Sequence, residues 1–408
     1  MALASTSKLQ LVILKETVTG VCDSDGIGDD GAVFLRSTGE SLSYGFSSET
    51  SKEINATRQV GSRVVTDANV DGSINIELSF HEYDDLFEAL LAGTFDTTFA
   101  GATGVKAFTS CAFSTGGGGG GGTITLSGAD VGGFAGLEAG QWIKVTGHAT
   151  PSLNRLYKII PITTSIIVVD ALTPVAEAAA AGACSFSGCR LENGVAALQT
   201  FTIEKGFTDV NQFFMYRGMA PTGLSLDFSA ASVLKGDIKF LGLNVAEATA
   251  TTSMGIIGAA QGNPMMNSVT GIGDILVNGA ILADTYIKSA KVTIDAKLRA
   301  QKAIGTLGAV GIGEGTFDIG GELVIYLADA TVYNLALAQA PVSLEIPVTD
   351  ADGSGYVFVF DNVYLDVPTV QAGSMDADVE LSCKFTAVAP VTATDKMLHI
   401  DRVGAAIV

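Results

Sequence analysis

A unit of one strand followed by one helix occurs twice in this chain and constrains the fold more than any other feature. Residues 72–80 alternate apolar and polar side chains, the period of a half-buried strand, and residues 81–93 then place apolar side chains at helical spacing. Residues 320–327 and 328–338 repeat this order. A repeated order of elements indicates duplication, so we predict two copies of one β domain, each with a single flanking helix.

The segments around the two units agree with a duplication. Residues 41–56 and 289–300 each read as a strand, and each leads into a long loop with basic residues and glycine, at 56–71 and 300–316. Loops of this length in compact domains are usually functional or disordered. Further strands are predicted at 200–205, 213–217, 223–228 and 237–242 in the first copy and at 343–348, 356–365 and 378–385 in the second.

A smaller β pattern interrupts the first copy. The seven glycines at 116–122 behave as a flexible linker, and the alanine run at 176–181 is too short to form a helix alone. Short strand patterns lie between them, at 123–127, 141–146, 156–162 and 166–170. The predicted domains are 1–106 with 190–252 as the first, 107–189 as a small inserted β domain, and 253–408 as the second.

Charge and hydropathy exclude several classes of protein. Acids outnumber Lys and Arg by 43 to 23, for a net charge of −20, whereas nucleic-acid binders rely on the opposite balance. A surface that lets nucleic acid pass without adhering is compatible with this charge. No apolar run reaches the roughly 18 residues of a membrane span. Residues 9–14 are too short for a signal-peptide core, so they read as a strand.

Candidate reactive residues are scattered. His81, His148 and His399 have neither metal-binding nor catalytic spacing, so we predict no metal and no enzymatic activity. Cys184 and Cys189 could form a local disulfide, but the five cysteines make no disulfide framework, and two small buried thiols are the favoured interpretation. Synthesis in the cytoplasm without disulfides is expected.

Two acidic, glycine-rich segments look like ligand loops but lack the required context. Residues 26–31 fit the pattern G-x-G-x-x-G, yet aspartates surround the glycines and a strand follows, whereas a phosphate site needs a helix N-terminus. The same segment fails the calcium-loop pattern, with Ile27 at a ligand position. Residues 350–355 lie between two strand patterns and are explained by a hairpin turn. No cofactor is predicted.

Several short segments together carry a family resemblance. They are GESLSY at 39–44, EINATRQV at 53–60, the stretch 72–91, FTIEKGFTD at 201–209, YRGM at 216–219, LRAQ at 298–301, IGTLGAVGIG at 304–313 and GYVF at 355–358. In number and order they resemble the tail tube proteins, or major tail proteins, of long-tailed bacteriophages with non-contractile tails. The resemblance covers most of the chain, including the inserted domain.

This resemblance implies an architecture and a set of partners. Tail tube domains are β-sandwich or barrel modules with one flanking helix, and their strands join between subunits around a channel. Rings of six domains stack into a tube, so two domains per chain imply a ring of three chains. With about four strands per domain, roughly 24 strands at ~4.8 Å spacing and ~40° tilt give a barrel about 48 Å across, which admits a DNA duplex.

The implied partners are other copies of the chain, the tape-measure protein and genomic DNA inside the lumen, and tail terminator and distal tail proteins at the ends. The implied location is the virion tail, after synthesis in the host bacterial cytoplasm and without a membrane span.

Period-two alternation separates the apolar side chains, expected beneath the helices, from the polar ones, expected to line the channel. The channel-lining candidates are Glu77, Ser79, Ser225, Asp227, Glu380, Ser382 and Lys384. Eight acids and no Lys or Arg lie from Glu345 to Glu380, which predicts a negatively charged channel that repels phosphates. The long loops are expected to contact the neighbouring ring, with candidates Arg58, Gln59, Arg63, Lys302, Ile304, Leu307 and Val310.

Other functions stay open from the sequence alone. The chain could be another phage structural component, such as a distal tail or head decoration protein, or a secreted β-rich adhesin or carbohydrate-binding protein. The lone Trp142 lies in an alternating strand, which favours a core position over a glycan platform. Because a barrel-wall strand must hold its register, the flexible glycine run predicts that the inserted domain lies outside the wall and is dispensable for tube formation.

Overall fold

The structure is a computed structural model, and it describes residues 3–22, 31–54, 56, 58–101, 103–116, 121–252, 254, 257–269, 271–273, 275–281, 286–328, 330–371, 375, 378–390 and 396–404. These residues fold as an all-β protein with two α-helices, as the sequence predicts. The acidic glycine segment at 26–31 lies largely outside the described residues.

The elements follow the chain in three blocks. The first block holds β1 (Leu9–Lys15), β2 (Val33–Phe34), β3 (Gly39–Glu40), β4 (Ser43–Thr50), β5 (Arg63–Glu77) and α1 (Asp84–Leu91). The inserted block holds β6 (Val105–Ser114), β7 (Thr123–Leu126), β8 (Trp142–Thr146), β9 (Leu156–Ile162), β10 (Ile166–Val169) and β11 (Ala179–Ser187). The first half then resumes with β12 (Cys189–Glu192), β13 (Phe201–Phe207), β14 (Gln212–Ser229), β15 (Lys235–Gly242) and β16 (Asn244–Val245).

The second half repeats much of this pattern. It holds β17 (Leu276–Val277), β18 (Ala280–Ile281), β19 (Ile287–Asp295), β20 (Arg299–Lys302), β21 (Ala309–Gly313), β22 (Asp318–Tyr326), α2 (Thr331–Ala338), β23 (Val342–Thr349), β24 (Gly355–Leu365), β25 (Thr369–Gln371), β26 (Glu380–Ala387) and β27 (His399–Val403). Both predicted helices are present, and each is slightly shorter than its apolar pattern.

One antiparallel sheet runs through both halves, and each half contributes strands in the same order. The first half gives β3–β5–β15–β14, and the second gives β19–β22–β26–β24. Strand β5 leads into α1 as β22 leads into α2. The duplicated strand–helix unit predicted from the sequence therefore has the same place in the sheet of each half.

The apolar side chains of this sheet form the core, and α1 covers part of it. Ile76, Leu224 and Leu381 are buried, as are Leu86 and Leu90 on the helix. Acidic residues in the first turn of α1 favour the helix because its N-terminus carries partial positive charge. The core face is the apolar face that period-two alternation predicts.

Strand β14 differs from the sequence prediction, because the two predicted strands 213–217 and 223–228 are one continuous strand. The segment between them contains Gly218 and Pro221, two residue types that are depleted in strands. Gly218 adopts a φ of 65°, and the pairing with β15 shifts register between Pro221 and Gly223. A proline is tolerated in a strand at such a bulge, and the bulge bends β14 from one sheet partner to the next.

The inserted segment forms a closed barrel in the order β10–β7–β6–β11–β8–β9. Phe108, Phe134 and Phe186 pack edge to face in its interior. The alanine run enters strand β11 and forms no helix. Of the glycine run, residues 117–120 lie outside the described residues, but Gly121 and Gly122 accept backbone hydrogen bonds from Val175 and Val169. Gly121 and Gly122 therefore belong to the barrel, directly before β7.

A buried polar cluster ties the first helix to the second half of the chain. The Asp84 carboxylate lies 2.5 Å from Arg402 Nη1 and 2.6 Å from His81 Nδ1, and it accepts a hydrogen bond from the Tyr356 hydroxyl. Burial raises the pKa of Asp84, but the His81 hydrogen bond and the Arg402 charge outweigh it, so the net pKa lies below its ordinary value. The two halves thus pack as one body.

Candidate assembly and channel surfaces

The two halves meet edge to edge at β14 and β19. Seven consecutive residue pairs hold these strands antiparallel. Leu224 lies opposite Ile294 and Leu226 opposite Val292, and all four side chains are buried. The sheet of one half therefore continues into the other without a gap, and the buried face is shared.

The outer edges of this sheet have no further strand partner. Within the described part of the chain, β3 pairs only with β5 and β25 pairs only with β26. A free strand edge presents unpaired backbone N–H and C=O groups, which are a template for pairing with another chain. The two edges lie on opposite sides of the sheet, so a single chain cannot join them.

The free edges occupy the same positions as the two strands that pair at the junction. Gly39 lies opposite Asn75, and Lys291 lies opposite Glu322. Asn75 lies as many residues before the start of α1 as Glu322 lies before the start of α2. Gly39 therefore corresponds to Lys291. By the same comparison Thr369, opposite Ser382, corresponds to Asp227, opposite Lys235. The β3 edge is thus equivalent to β19, and the β24–β25 edge to the end of β14.

The two long loops predicted at 56–71 and 300–316 are instead β-hairpin arms. Strand β4 pairs with the first half of β5, and β20 pairs with β21. The loop prediction was wrong over 63–71, 300–302 and 309–313 for a physical reason. Most side chains of these ribbons face solvent on both sides, so no alternation of apolar and polar residues marks them as strands.

The arms contact each other through Lys302. Its ammonium binds the Asp67 carboxylate and lies 3.1 Å from Asn69 Oδ1. The hydrogen bond from Lys302 lowers the pKa of Asp67. Arg63 Nε donates to Ser48 Oγ at 2.8 Å and so stabilises the first arm internally. Of the predicted contact residues, these two basic ones are engaged within the chain.

The other predicted contact residues lie at or near the arm tips. Arg58 and Gln59 lie in the turn of the first arm, and Arg58 has a φ of 58°. Ile304 is fully exposed, and Leu307 and Val310 are more than half exposed. The first arm exposes further apolar side chains: Tyr44, Phe46, Ile54, Val60, Val64 and Val65. Apolar exposure concentrated on two protruding ribbons marks an interaction surface.

The face of the sheet opposite the core carries alternating charges, one on each successive strand. Each residue of this row lies directly opposite the next, and all are exposed or half-buried. In spatial order the row is Glu77, Lys235, Asp227, Lys291, Glu322 and Lys384. Asp366 extends it, since its backbone N–H donates to the Lys384 carbonyl at 2.8 Å. We call these seven residues the charge ladder and this side of the sheet the polar face.

The predicted channel-lining residues fall mainly on the polar face. Glu77, Asp227 and Lys384 are ladder residues, and Ser225 lies in the next row, opposite Asp237 and Thr293. Ser382 donates a hydrogen bond to Glu322. Glu380 lies 2.6 Å from Lys288 and raises its pKa.

Ser79 is an exception among these candidates, because its side chain is fully buried. Strand β5 ends at Glu77. Beyond it, Ser79 forms an antiparallel bridge with Met265, and this contact with a distant segment is not encoded in the alternation of β5.

Several acids between Glu345 and Glu380 do not face the polar side of the sheet. Glu345 is 1% exposed and binds residues of the inserted barrel, and Asp361 lies 2.7 Å from His399. Asp350 is buried in the hairpin turn, where it accepts backbone hydrogen bonds. Only the end of the segment contributes to the polar face: Asp366, Asp378 and Glu380 line an open depression of about 560 Å³ with Glu322 and Lys384.

No group of three or more His, Cys, Asp or Glu side chains among the described residues could hold a metal ion. All five cysteines are free, and four of them are buried, which agrees with the thiol interpretation of Cys184 and Cys189. In the described part of the chain, neither helix is long and apolar enough to cross a membrane.

Comparison with protein families identifies the chain. The family model described as phage tail tube protein matches residues 6–387, nearly the whole length. The chain belongs to the phage tail tube protein family. No curated protein matches it. Membership means that this tail tube protein is a structural component of the virion tail that assembles with copies of itself.

Proposed function

We propose that three copies of this tail tube protein close a ring by pairing the β3 edge of one chain with the β24–β25 edge of the next. The observation that carries the proposal is the β14–β19 junction, where the chain already joins two equivalent domains in this way. Repeating the junction between chains gives pseudo-sixfold symmetry from three chains. Rings then stack into the tube of a long, non-contractile tail.

The internal junction also supplies a register for the contact between chains. Leu224 pairs with Ile294 inside the chain, and the equivalent residues at the free edges are Leu365 and Leu42, which are both buried. Thr369 is then opposite Gly39. The β24–β25 edge holds one residue more than β14 over this span, and Pro368 lies within it. A bulge there accommodates both the extra residue and the missing proline N–H.

The polar face lines the channel in this arrangement, because the core face is already covered within each chain. Genomic DNA and the tape-measure protein occupy the channel, and tail terminator and distal tail proteins cover its ends. The two arms project beyond the sheet and carry exposed apolar residues, so they contact the neighbouring ring. The net charge of −20 agrees with a channel that DNA traverses without adhering.

A disulfide between the free edges tests the ring. Val370 corresponds to Phe228 and Thr38 to Ala290, which are directly opposite at the internal junction. In a chain carrying both Thr38→Cys and Val370→Cys, mild oxidation should give covalent trimers on a non-reducing gel, because directly opposite residues lie within disulfide range. Electron microscopy of the purified protein should show threefold rings or tubes.

The matched control shifts one cysteine by a single residue. Thr38→Cys with Thr369→Cys places the thiols on opposite faces of the proposed pair, so cross-linking should drop sharply. Equal cross-linking of the two variants contradicts the register. Rings of six whole chains, or a protein that decorates heads or caps tails without forming tubes, contradict the proposed function.

A further inference from the structure

We propose, given the channel assigned above, that the charge ladder shields its own lysines from the phosphates of passing DNA. The sequence alone predicts a channel protected by net negative charge. The seven ladder residues carry four acids and three lysines, so their sum is nearly neutral. Within this row the arrangement of the charges, more than their sum, is therefore what can protect the lysines.

Every ladder lysine stands between two carboxylates. Lys235 lies opposite Glu77 on one side and Asp227 on the other. Asp227 and Glu322 in turn border Lys291. Directly opposite side chains on antiparallel strands have Cβ atoms about 4.5–5.5 Å apart, which is well inside the ~8 Å Debye length at physiological salt. The lysine charges are thus compensated by the protein at short range.

The third lysine completes the pattern at the edge of the sheet. Lys384 lies opposite Glu322, and Asp366 binds its backbone from the other side. An acid therefore separates each lysine from the next, and acids form both ends of the row.

Compensation at this range removes the driving force for DNA binding. A lysine binds DNA because its contact with a phosphate releases condensed counterions. A lysine flanked by two carboxylates gains less from that exchange, and the approaching phosphate also meets the carboxylates. The alternation of acids and lysines also stabilises the sheet. Like charges directly opposite each other are destabilising, so a row of acids alone would weaken the strand pairing.

Lys239 shows the contrast on the same face. It lies opposite Ser73 and Gly223, with no carboxylate directly across either strand. If the lysines are shielded by their cross-strand neighbours, Lys239 is the residue through which the native face retains weak attraction for DNA. Lys239→Gln should therefore lower whatever residual binding the native protein shows.

The test neutralises the acids that border the lysines. The ladder variant combines Glu77→Gln, Asp227→Asn and Glu322→Gln, which removes both neighbours of Lys235 and of Lys291. The control variant combines Glu53→Gln, Glu177→Gln and Glu247→Gln, three exposed acids outside the strands of the polar face. Both variants change the net charge equally. Binding of a short fluorescent DNA duplex is measured by anisotropy over a salt series, with the free chain and with assembled tubes.

The ladder variant should bind the duplex at low salt with a slope of log K against log salt of about −2, for two lysines contacting phosphates. The control variant should bind as weakly as the native protein. Adding Lys235→Gln and Lys291→Gln to the ladder variant should abolish the gain. Should the triple variant fail to fold, Asp227→Asn is compared with Glu247→Gln, because Asp227 borders two lysines.

Equal binding by the ladder and control variants overturns the proposal, as does a gain that survives removal of the lysines. The polar face is accessible in the free chain, so the comparison decides the shielding even if no rings form. Failure of the native protein to form rings, judged separately by microscopy, counts against the proposed function alone.

Discussion

Trp142 Nε1 donates a hydrogen bond to Glu345 Oε2 at 2.8 Å, and this contact joins the inserted barrel to the second half of the chain. Lys158 Nζ lies 2.5 Å from the other carboxylate oxygen of Glu345. The backbone N–H of Trp142 donates to Asp401, whose carboxylate also accepts from the Arg190 guanidinium. Both carboxylates are almost completely buried. The barrel is therefore fixed to the second half and not held by a flexible margin.

Trp142→Phe is expected to destabilise the protein by about 1–3 kcal/mol, because it removes one partner of a buried carboxylate while keeping an aromatic ring. Chemical denaturation monitored by circular dichroism measures the change. Tyr44→Phe removes a hydroxyl from an exposed aromatic residue on the first arm and should change the free energy of unfolding by less than about 0.5 kcal/mol. Equal effects of the two substitutions would show that the Trp142–Glu345 contact contributes nothing.

The contacts of Trp142 and Lys158 with Glu345 also predict the effect of removing the whole inserted barrel. Replacing residues 107–186 by a short linker would leave the Glu345 carboxylate without Trp142 and Lys158 and expose the buried Val357 and Val359. We expect this deletion to yield insoluble protein, whereas the sequence alone predicts that tubes still form. Soluble deletion protein that assembles normal tubes would restore the sequence-based prediction.

The Asp84–Arg402 pair permits a second prediction. Arg402→Met leaves the buried Asp84 carboxylate without its charged partner, and such a loss typically costs about 3–5 kcal/mol. The control is Lys15→Met, which removes an exposed ion pair with Asp85 at 4.0 Å and should cost less than about 1 kcal/mol. Urea denaturation of both variants provides the comparison. A small loss for Arg402→Met would mean that Tyr356 and His81 compensate Asp84 by themselves.

His399 makes stability depend on pH. Burial and the nearby Arg190 lower its pKa, but the carboxylates of Asp361 and Glu192 outweigh them and raise it to about 9. A raised pKa means that the folded state favours the charged imidazolium. This contribution is complete below the ordinary pKa of about 6.5 and is lost as pH rises through 9.

The free energy of unfolding should therefore fall between pH 6 and pH 9.5 by up to about 3 kcal/mol from this group. His399→Gln should flatten the profile over that interval, as measured by denaturation at a series of pH values. An unchanged profile in His399→Gln would assign the pH dependence to other groups.

Local patterns were sufficient to predict the fold class, both helices and the four short strands after the glycine run. Local patterns did not predict the segments whose conformation depends on pairing with another strand. The continuity of β14 across Pro221 depends on bulged pairing with β15, and the arms are strands only because each half of a hairpin pairs with the other. Neither fact is encoded in side-chain alternation. The domain boundaries stay a prediction.

The residues of the polar face could likewise be predicted only in part. Alternation alone placed Glu77, Asp227 and Lys384 on one side of their strands, but their alignment into the charge ladder requires the register of every intervening pair. Lys235, Lys291 and Glu322 could not be selected without that register. The positions of Glu345, Asp350 and Asp361 could not be predicted, because charge counts along the sequence do not show that these acids contact the inserted barrel, a hairpin turn and His399, respectively.

The tip of the second arm provides the last prediction, which concerns stacking. Ile304 and Leu307 are 107% and 55% exposed, so Ile304→Ser with Leu307→Ser should leave the stability of the free chain unchanged. Burial of a side chain of this size contributes about 1.5–3 kcal/mol. If the arms meet the next ring, the variant should form rings that no longer elongate, as seen by electron microscopy and sedimentation velocity. Val195→Ser, at a fully exposed valine outside the arms, should assemble normally. Full-length tubes from the double variant would show that ring stacking does not depend on this arm tip.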